Sequence, residues 1–483
     1  MNTYLTVILS YFLFIILVSL FTKRIASRSA ADYLIAGRNL GLIACAVVVA
    51  SEWLGGMSTI GVSEKAFTSG TMQPVLYNIS TAAGMIIIGF TVARHYREKN
   101  VHTVSEMLEN LFGKRTRSIS AIAFLAAYIT LSYVQLQTCA SVLGPLFGIS
   151  WTNAVLISSI VITAYTYVGG MHALAVTGII HVVTMFLGIG IALVTGLDKM
   201  TGFSTLSATL VELGSPANWY NPFSGGMSYA LSLVIGGVLG GMAGQASIQP
   251  IFAARDSKTA RNSAILSSLI IAPFGIMVAL LGLIALTGHF IDAGSITNPK
   301  MVLPTLLTTP GFIHPVLGGL ALAGILAAIL STVGPVNFAV VTIATKDIYH
   351  SLINRTAVDQ KIVATARRLV ILVNFVTIPM AIFIHGAILD AAYVSYAIRA
   401  VGAIVIILGI YRRGWISSEG VRWAFGGGTL AVLLAVIGNK AGWFSIEETF
   451  VGVGSAVIFI LAGNLWARLR KKAAKIDLPD DGN

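Results

Sequence analysis

The feature that most constrains this chain is an apolar run of about 20 residues that recurs between short polar breaks. A helix of about 20 residues spans the roughly 30 Å hydrocarbon core of a membrane. The sequence holds 13 such runs. Their centres lie near Phe12, Leu54, Met85, Thr130, Val161, Phe186, Gly237, Gly275, Leu326, Val376, Val405, Leu434 and Ile458. Because backbone polar groups must be satisfied within such a span, we predict an all-α, polytopic membrane protein with 13 transmembrane helices.

The charge of the chain predicts its orientation in the membrane. The net charge of +12 would suggest a nucleic-acid partner in a soluble chain, but 56% of the residues are hydrophobic and only 10% are charged. With the N-terminus outside, 26 of the 31 Lys and Arg residues fall on the inner face. Basic residues concentrate on the cytoplasmic side and contact anionic lipid. We therefore predict membrane lipid, and no nucleic acid, as a partner. The C-terminus is predicted to be cytoplasmic. The short loops favour a bacterial inner membrane as the cell membrane in which the protein lies.

Glycine pairs interrupt the second and seventh predicted spans. The second contains Trp53-Leu54-Gly55-Gly56, and the seventh contains paired glycines within residues 236–244. Glycine pairs at mid-membrane depth free backbone carbonyls, which is tolerated only where these line a cavity or meet a ligand. Close helix packing through small residues is the alternative. Two broken helices five spans apart favour a secondary transporter built from an inverted five-plus-five repeat.

The ninth span places Ala328, Ser331 and Thr332 on one helix face. Positions i, i+3 and i+4 stack along one surface, so the Ala328 carbonyl and the two hydroxyls can converge on a small hard cation. The alternative is that both hydroxyls only bond carbonyls of the preceding turn.

Several motifs, taken in order, resemble the sodium/solute symporters, which carry sugars, proline, sialic acid, pantothenate, choline and iodide. They are Asp32-Tyr33-Leu34-Ile35-Ala36-Gly37-Arg38, Tyr167-Val168-Gly169-Gly170, Ala327-Ala328-Ile329-Leu330-Ser331-Thr332 and Thr345-Lys346-Asp347-Ile348-Tyr349. The resemblance covers nearly the whole chain and implies a core of the leucine-transporter type. It implies an extra N-terminal helix in residues 1–30, a first inverted repeat with the following external loop in 31–225, a second repeat in 226–413, and two C-terminal helices with a basic tail in 414–483.

The resemblance also implies a sodium site. Its ligands are the carbonyls of Ala50, Trp53 and Ala328 and the hydroxyls of Ser331 and Thr332. Neutral oxygens suit Na⁺, which would bridge the second span to the ninth and favour the outward-open form. Many members carry an Asp for a second sodium where this chain has Thr177–His181. We therefore expect one sodium per cycle, with His181 either a proton-sensitive substitute or a packing residue.

Substrate recognition is predicted around the two breaks. Glu52 and Arg399 are charged groups at mid-membrane depth, where ionised side chains are costly and usually functional. They either pair structurally, bind the two ends of a zwitterion, or divide between substrate and water. Trp53 is either a packing residue or a ring for a quaternary ammonium, since its surroundings resemble the Trp-x-Gly-Gly pattern of choline carriers. The predicted substrate-binding residues are Glu52, Trp53, Gly56, Tyr77, Gln135, Gln245, Gln249, Tyr396 and Arg399.

The chain contains no phosphate-binding loop and no His-Glu-x-x-His motif, so an enzyme is not expected. These features together predict a monomeric secondary transporter that couples Na⁺ to symport of a small polar organic solute by alternating access. A proton-coupled carrier and a transporter-like solute sensor are the alternatives.

Overall fold

Helices make up nearly all of the computed structural model, which describes residues 3–26, 38–99, 101–384 and 386–476. A helix satisfies its own backbone polar groups, so apolar segments of this length favour it. The first helices are α1 (Thr3–Ala26), α2 (Leu42–Trp53), α3 (Met57–Ser69), α4 (Leu76–Phe90), α5 (Ala93–Glu98), α6 (Val104–Phe112), α7 (Lys114–Phe147), α8 (Trp151–Lys199) and α9 (Phe203–Glu212). The later helices are α10 (Met227–Met242), α11 (Gln245–Ala253), α12 (Ser257–Leu286), α13 (Val302–Thr308), α14 (Pro315–Thr342), α15 (Asp359–Phe383), α16 (Ile388–Tyr411), α17 (Ser418–Lys440) and α18 (Glu448–Ile476).

Ten helices are long and apolar enough to cross a membrane, or eleven if the bent pair α2–α3 forms one span. Two shorter apolar helical stretches, Thr3–Val18 in α1 and Trp151–Ala164 in α8, fall below that length. The prediction of an all-helical, multi-pass membrane protein is therefore confirmed. By length and composition, the described residues give ten or eleven spans, where the sequence predicted thirteen.

Helix α8 covers two of the predicted spans, and the contacts of its ends show that it is bent. A straight helix of 49 residues would be about 74 Å long. Yet Trp151 at its start packs against Lys300, whose Nζ lies 5.7 Å from the ring centroid, and Lys199 at its end donates a hydrogen bond to the Gly311 carbonyl. The chain between Lys300 and Gly311 can reach at most about 40 Å. Helix α8 therefore does not run straight from end to end.

Two of the predicted motifs lie partly or wholly beyond what the structure describes. Residues 32–37 of the first motif are outside the described ranges, and for residues 167–170 only the helical backbone is described. The motif at residues 345–349 lies in a π-helical segment, Ile343–Ile353, that continues α14. Wide π-helical turns are rare and occur frequently at functional sites.

Two helices are interrupted at the centre of the bundle. Helix α2 ends at Trp53, and α3 starts at Met57 after a bend of 54°. The second break lies between Met242, the end of α10, and Gln245, the start of α11. At the far ends of these helices, Leu40 pairs with the strand-like residue Ala254 beyond α11 in an isolated parallel bridge. The two broken helices are thus tied together at one end of the bundle.

The glycines at residues 236–241 remain helical, so the second break lies only at the end of the predicted interruption. A Cβ atom on Gly236 would lie 2.6 Å from the Tyr393 ring, and one on Gly240 would lie 2.9 Å from the Tyr396 Cβ. Such distances are too short for any side chain, so glycine is required for α10 and α16 to approach this closely. These glycines make the close packing that was the alternative interpretation.

Candidate functional site

The first break meets α14 through two hydroxyls. Thr332 Oγ1 donates to the Ser51 carbonyl at 2.7 Å, and Ser331 Oγ lies 3.2 Å from the same oxygen and 2.8 Å from the Ala328 carbonyl. The backbones approach closely here, since a Cβ on Gly55 would lie 2.1 Å from Thr332 Oγ1. Four oxygens from two helices therefore converge at the end of α2. Thr332 bonds across to α2, whereas Ser331 makes its shorter contact with its own turn, so the alternative of bonds within the turn describes Ser331 in part.

The other two predicted carbonyl ligands are engaged elsewhere. The Ala50 carbonyl accepts the helical hydrogen bond from the Leu54 amide at 3.1 Å. The Trp53 carbonyl accepts hydrogen bonds from Ser58 Oγ at 2.6 Å and from the Tyr77 hydroxyl at 3.2 Å. Sequence reasoning did not name the Ser51 carbonyl. The end of α2 could have indicated the Ser51 carbonyl as a ligand, because the last turn of a helix leaves its carbonyls without intrahelical partners.

The oxygen cluster suits a monovalent hard cation. Its members are a backbone carbonyl from each helix and two neutral hydroxyls, and oxygen ligands of this kind fit Na⁺. Among the described residues, no group of three or more His, Cys, Asp and Glu side chains is placed to hold a metal ion. The donor set therefore favours Na⁺ over a transition metal.

The second break holds a buried ion pair between Glu52 on α2 and Arg399 on α16. Arg399 Nη1 lies 3.9 Å from Glu52 Oε1, which is within ion-pair range but beyond hydrogen-bonding distance. The other carboxylate oxygen of Glu52 accepts a hydrogen bond from Ser247 Oγ in the first turn of α11 at 2.8 Å. A Cβ on Gly244 would lie 1.9 Å from Arg399 Nη2, so the guanidinium lies directly against the broken backbone.

Three aromatic rings surround this guanidinium. Its Cζ lies 5.4 Å from the ring centroid of Trp53, 5.2 Å from that of Tyr128 and 5.0 Å from that of Tyr396. Rings at such distances stabilise a desolvated cation through their negative faces. Sequence reasoning missed Tyr128, whose hydroxyl also accepts the Ala246 amide of α11 at 2.9 Å. Helical spacing could have identified Tyr128, because it lies seven residues before Gln135 on the same face of α7.

Several polar atoms in this region have no hydrogen-bond partner although they are fully buried. They are Arg399 Nε, Nη1 and Nη2, Trp53 Nε1, Gln135 Nε2 and Glu52 Oε1. Buried polar groups are usually paired, and each unmet one costs about 1–3 kcal/mol. Most of these atoms are hydrogen-bond donors. The site therefore favours a ligand that brings acceptors.

Tyrosine rings close the region on the side of α4 and α16. The Tyr77 and Tyr396 rings stack with centroids 6.2 Å apart and an interplanar angle of 9°, and their hydroxyls are 3.1 Å apart. Gly56 lies against Thr138 of α7, since a Cβ there would be 2.2 Å from Thr138 Oγ1. The structure thus brings Glu52, Trp53, Tyr77, Tyr396 and Arg399 together, as the sequence analysis expected.

Gln245 and Gln249 make their hydrogen bonds away from the ion pair. Gln245 Oε1 accepts from the Val104 amide at 2.8 Å, and its Nε2 donates to the His102 carbonyl at 3.0 Å. Gln249 Nε2 contacts Thr342 Oγ1 of α14 at 3.2 Å. These contacts tie α11 to the segment before α6 and to α14.

The segment before α6 is itself held by Glu106. Burial raises the pKa of Glu106, but hydrogen bonds from the His102 amide and ring outweigh it and bring the value to about 2. The hydroxyl of Thr103 caps α6 by accepting the Glu106 amide at 3.0 Å. This anchor is therefore ionised at neutral pH.

His181 contacts the first helix. Its Nδ1 forms a hydrogen bond with the Tyr11 hydroxyl of α1, and its ring is fully buried. This contact favours the packing interpretation over a proton-sensitive role.

Ion pairs lie at both ends of the central region. At one end Lys65 Nζ is 2.9 Å from Asp390 Oδ2, and the Tyr229 hydroxyl donates to the other oxygen of that carboxylate at 3.1 Å. At the other end Arg117 Nε is 2.8 Å from the buried carboxylate of Asp347. Glu52 and Arg399, which lie between these two ends, are each 0% exposed. The central site is therefore occluded.

Comparison with known proteins gives the chain its family. The model of the sodium:solute symporter family matches residues 33–424. The chain is 25% identical over 460 residues to an uncharacterized symporter, YwcA, of Bacillus subtilis, covering 91% of this chain and 85% of that protein. It is 23% identical over 470 residues to the sodium/proline symporter of Escherichia coli, covering 94% and 92% of the two chains.

A solved structure shares the fold. A substrate-bound, outward-open Na⁺-coupled sialic acid symporter superimposes with a TM-score of 0.81 at 18% identity, covering 97% of this chain and 98% of that one. The family and these relatives are transporters rather than enzymes. The chain therefore belongs to the sodium:solute symporter family, and Na⁺ is its coupling ion.

Proposed function

We propose that this protein carries a small polar organic solute across the membrane by alternating access, with one Na⁺ per cycle. The observation that carries this proposal is the convergence of Ser331, Thr332 and Ala328 of α14 on the Ser51 carbonyl at the end of α2. An ion held there contacts both helices at once. Its binding therefore favours the conformation in which α2 and α14 are close.

The proposed sodium ligands are those that the sequence predicted, together with the Ser51 carbonyl. They are Ala50, Ser51, Trp53, Ala328, Ser331 and Thr332. In the present conformation the carbonyls of Ala50 and Trp53 have other partners, so their participation requires a small rearrangement around the break. A membrane potential assists entry of the cation by about 2.3 kcal/mol per 100 mV.

The proposed solute site lies between the two breaks. Its central residues are Glu52, Trp53, Tyr77, Tyr396 and Arg399, with Gly56 and Gln135 beside them and Tyr128 as an addition. Gln245 and Gln249 are proposed to act through the position of α11, because their hydrogen bonds hold that helix. Since the site is occluded, the solute enters only when one end of the bundle opens.

We further propose thirteen spans, formed by the eleven candidates and the apolar stretches of α1 and α8. The two central breaks support inverted repeats in residues 31–225 and 226–413, with 1–30 and 414–483 as additions. The proposed orientation has the N-terminus outside and the C-terminus in the cytoplasm. The protein is proposed to act as a monomer in contact with anionic lipid.

Uptake into proteoliposomes tests this function. Labelled small amino acids, monocarboxylates, quaternary amines and sugars are offered under an inward Na⁺ gradient and under a matched K⁺ gradient. We expect accumulation of at least one solute with Na⁺ only, increased by an inside-negative potential. Equal accumulation in K⁺, or accumulation that follows a proton gradient alone, would contradict the proposal.

A further inference from the structure

We infer that the solute is a small carboxylate with a hydrogen-bond donor on the neighbouring carbon, an α-amino or α-hydroxy acid, bound beside the pair of Arg399 and Glu52. This inference rests on the proposed function and names the chemical class of its substrate. It comes from the hydrogen-bonding needs of the buried groups at the second break.

Donors outnumber acceptors among the unpartnered atoms. Three guanidinium nitrogens of Arg399 and the indole nitrogen of Trp53 are buried with no acceptor, whereas Glu52 Oε1 is the one unpartnered acceptor at the ion pair. A carboxylate carries two oxygens that accept from a guanidinium in parallel. It can therefore meet two of the guanidinium donors at once.

The surroundings of Arg399 add positive potential. The guanidinium lies against Gly244, the N-cap of α11, and the N-terminus of a helix carries a partial positive charge. Glu52 only partly compensates, because Ser247 holds one of its oxygens and the other remains 3.9 Å from Nη1. The resident carboxylate is thus kept from bonding the guanidinium directly, and a second carboxylate finds free donors.

The charge sum favours an acid over a cation. Glu52 and Arg399 sum to zero, so one Na⁺ with an α-hydroxy acid anion leaves the buried core neutral, and one Na⁺ with a zwitterionic α-amino acid leaves one positive charge. A quaternary amine with Na⁺ would leave two positive charges there. The rings of Trp53, Tyr128 and Tyr396 already face the guanidinium and are not free to enclose a second cation.

The position of Glu52 specifies the rest of the ligand. Its free oxygen lies only 3.9 Å from a guanidinium nitrogen. A ligand whose carboxylate meets Arg399 therefore presents the atoms one or two bonds away to Glu52. A hydroxyl or an ammonium on the neighbouring carbon supplies the donor that this oxygen lacks.

Matched acids and amides test the inference on purified full-length protein. The unfolding temperature is measured in NaCl and in KCl with L-lactate, L-alanine, L-proline, the corresponding amides, propionate and choline. We expect at least one acid to stabilise the protein in sodium and its amide to bind at least about tenfold more weakly, since a charge-assisted hydrogen bond is lost. Propionate, which lacks the second donor, should bind more weakly than lactate.

Variants assign the effect to the ion pair. Arg399→Gln should abolish acid binding, and Arg399→Lys should retain a weakened form of it. Glu52→Gln should bring the ratio of the affinities for lactate and propionate close to one. Arg94→Gln removes an exposed arginine that pairs with Glu98 and should change nothing. If Arg399→Gln does not fold, the double variant Glu52→Gln/Arg399→Gln keeps the site neutral and should likewise not distinguish acid from amide.

The outcomes separate this inference from the proposed function. No acid binding, equal binding of acid and amide, or stabilisation by choline would overturn the carboxylate class, even if Na⁺ alone stabilises the protein. Acid binding that is as strong in KCl as in NaCl would support the class and overturn sodium coupling. Acid binding unchanged in a folded Arg399→Gln variant would overturn the proposed site.

Discussion

The two helix breaks place the same kind of feature, a helix end buried in the bundle, in opposite chemical situations. At the first break the polar groups meet one another, with Ser331 and Thr332 bonded to the Ser51 carbonyl. At the second, Arg399 lies against the backbone of Gly244 with its three nitrogens unpartnered. At the first break, carbonyl oxygens accept hydrogen bonds from two hydroxyls. At the second, hydrogen-bond donors have no acceptors.

The direction of each helix explains the difference. Each break has two helix ends. The contacts of the first gather at the C-terminal end of α2, where carbonyls carry partial negative charge, and Arg399 at the second lies against the N-terminal end of α11, where amides carry partial positive charge. A cation therefore suits the first and an anion suits the second. One pair of breaks can hold both members of a symported pair.

The largest expected effect comes from the two glycines, Gly55→Ala and Gly244→Ala. An added methyl would lie 2.1 Å from Thr332 Oγ1 in one case and 1.9 Å from Arg399 Nη2 in the other, so the Thr332 side chain or the flexible Arg399 guanidinium must move out of its place. We expect Gly55→Ala to lose sodium binding and Gly244→Ala to lose solute binding while sodium still binds. Sodium-dependent and solute-dependent thermal shifts measure the two separately, and identical losses in both variants would break the distinction between the breaks.

A smaller effect is expected for the ion pair. Glu52→Gln leaves the Arg399 charge buried without a counter-ion, which costs about 3–5 kcal/mol. The double variant Glu52→Gln/Arg399→Gln removes both charges and should recover most of that loss. Unfolding temperatures in detergent compare the three proteins, and a double variant less stable than the single would contradict a direct electrostatic coupling.

The Tyr128→Phe variant probes the second break more gently. It removes the acceptor of the Ala246 amide and keeps the ring beside Arg399. We expect a loss of about 1 kcal/mol in stability, the usual net value of a hydrogen bond, with sodium affinity unchanged. Altered sodium affinity in a stable Tyr128→Phe protein would mean that the breaks are more tightly coupled than their contacts indicate.

The smallest effect is expected for Lys65→Gln. Its pair with Asp390 is partly exposed, with 23% and 47% of the two side chains accessible, and such pairs contribute about 0–1 kcal/mol. We expect little change in unfolding temperature and no change in sodium affinity, because the pair lies away from both breaks. A sodium-affinity change comparable to that of a ligand variant would show that this end of the bundle controls the ion site.

The sequence predicted the parts of this architecture that follow from local pattern. Apolar runs identified the helices, and the spacing of Ala328, Ser331 and Thr332 identified the helix face that meets the first break. Glu52 and Arg399 were recognised because charges are rare at that depth, and the structure brings them to 3.9 Å.

The rest depends on contacts between distant segments, which a single sequence does not encode in any local pattern. Ser247 and Tyr128 join the site because α11 and α7 pack beside α2, and neither residue differs in type from many others on those helices. Gln245 has the same polar character as a ligand-binding residue, yet it forms hydrogen bonds with the segment at the start of α6. The glycines of α10 pack against tyrosines, although their sequence resembles that of a broken helix.

The most direct test of the central claim is a sodium titration of the unfolding temperature for the Ser331→Ala/Thr332→Ala double variant. Ser267→Ala is the matched control, because Ser267 Oγ bonds the Ala264 carbonyl three residues back at 2.7 Å, as Ser331 does with Ala328 at 2.8 Å. We expect the double variant to need at least about tenfold more sodium for half-maximal stabilisation, since two oxygens are removed from a dehydrated ion. The control should match the unaltered protein. An unchanged sodium dependence in a folded double variant would contradict the account.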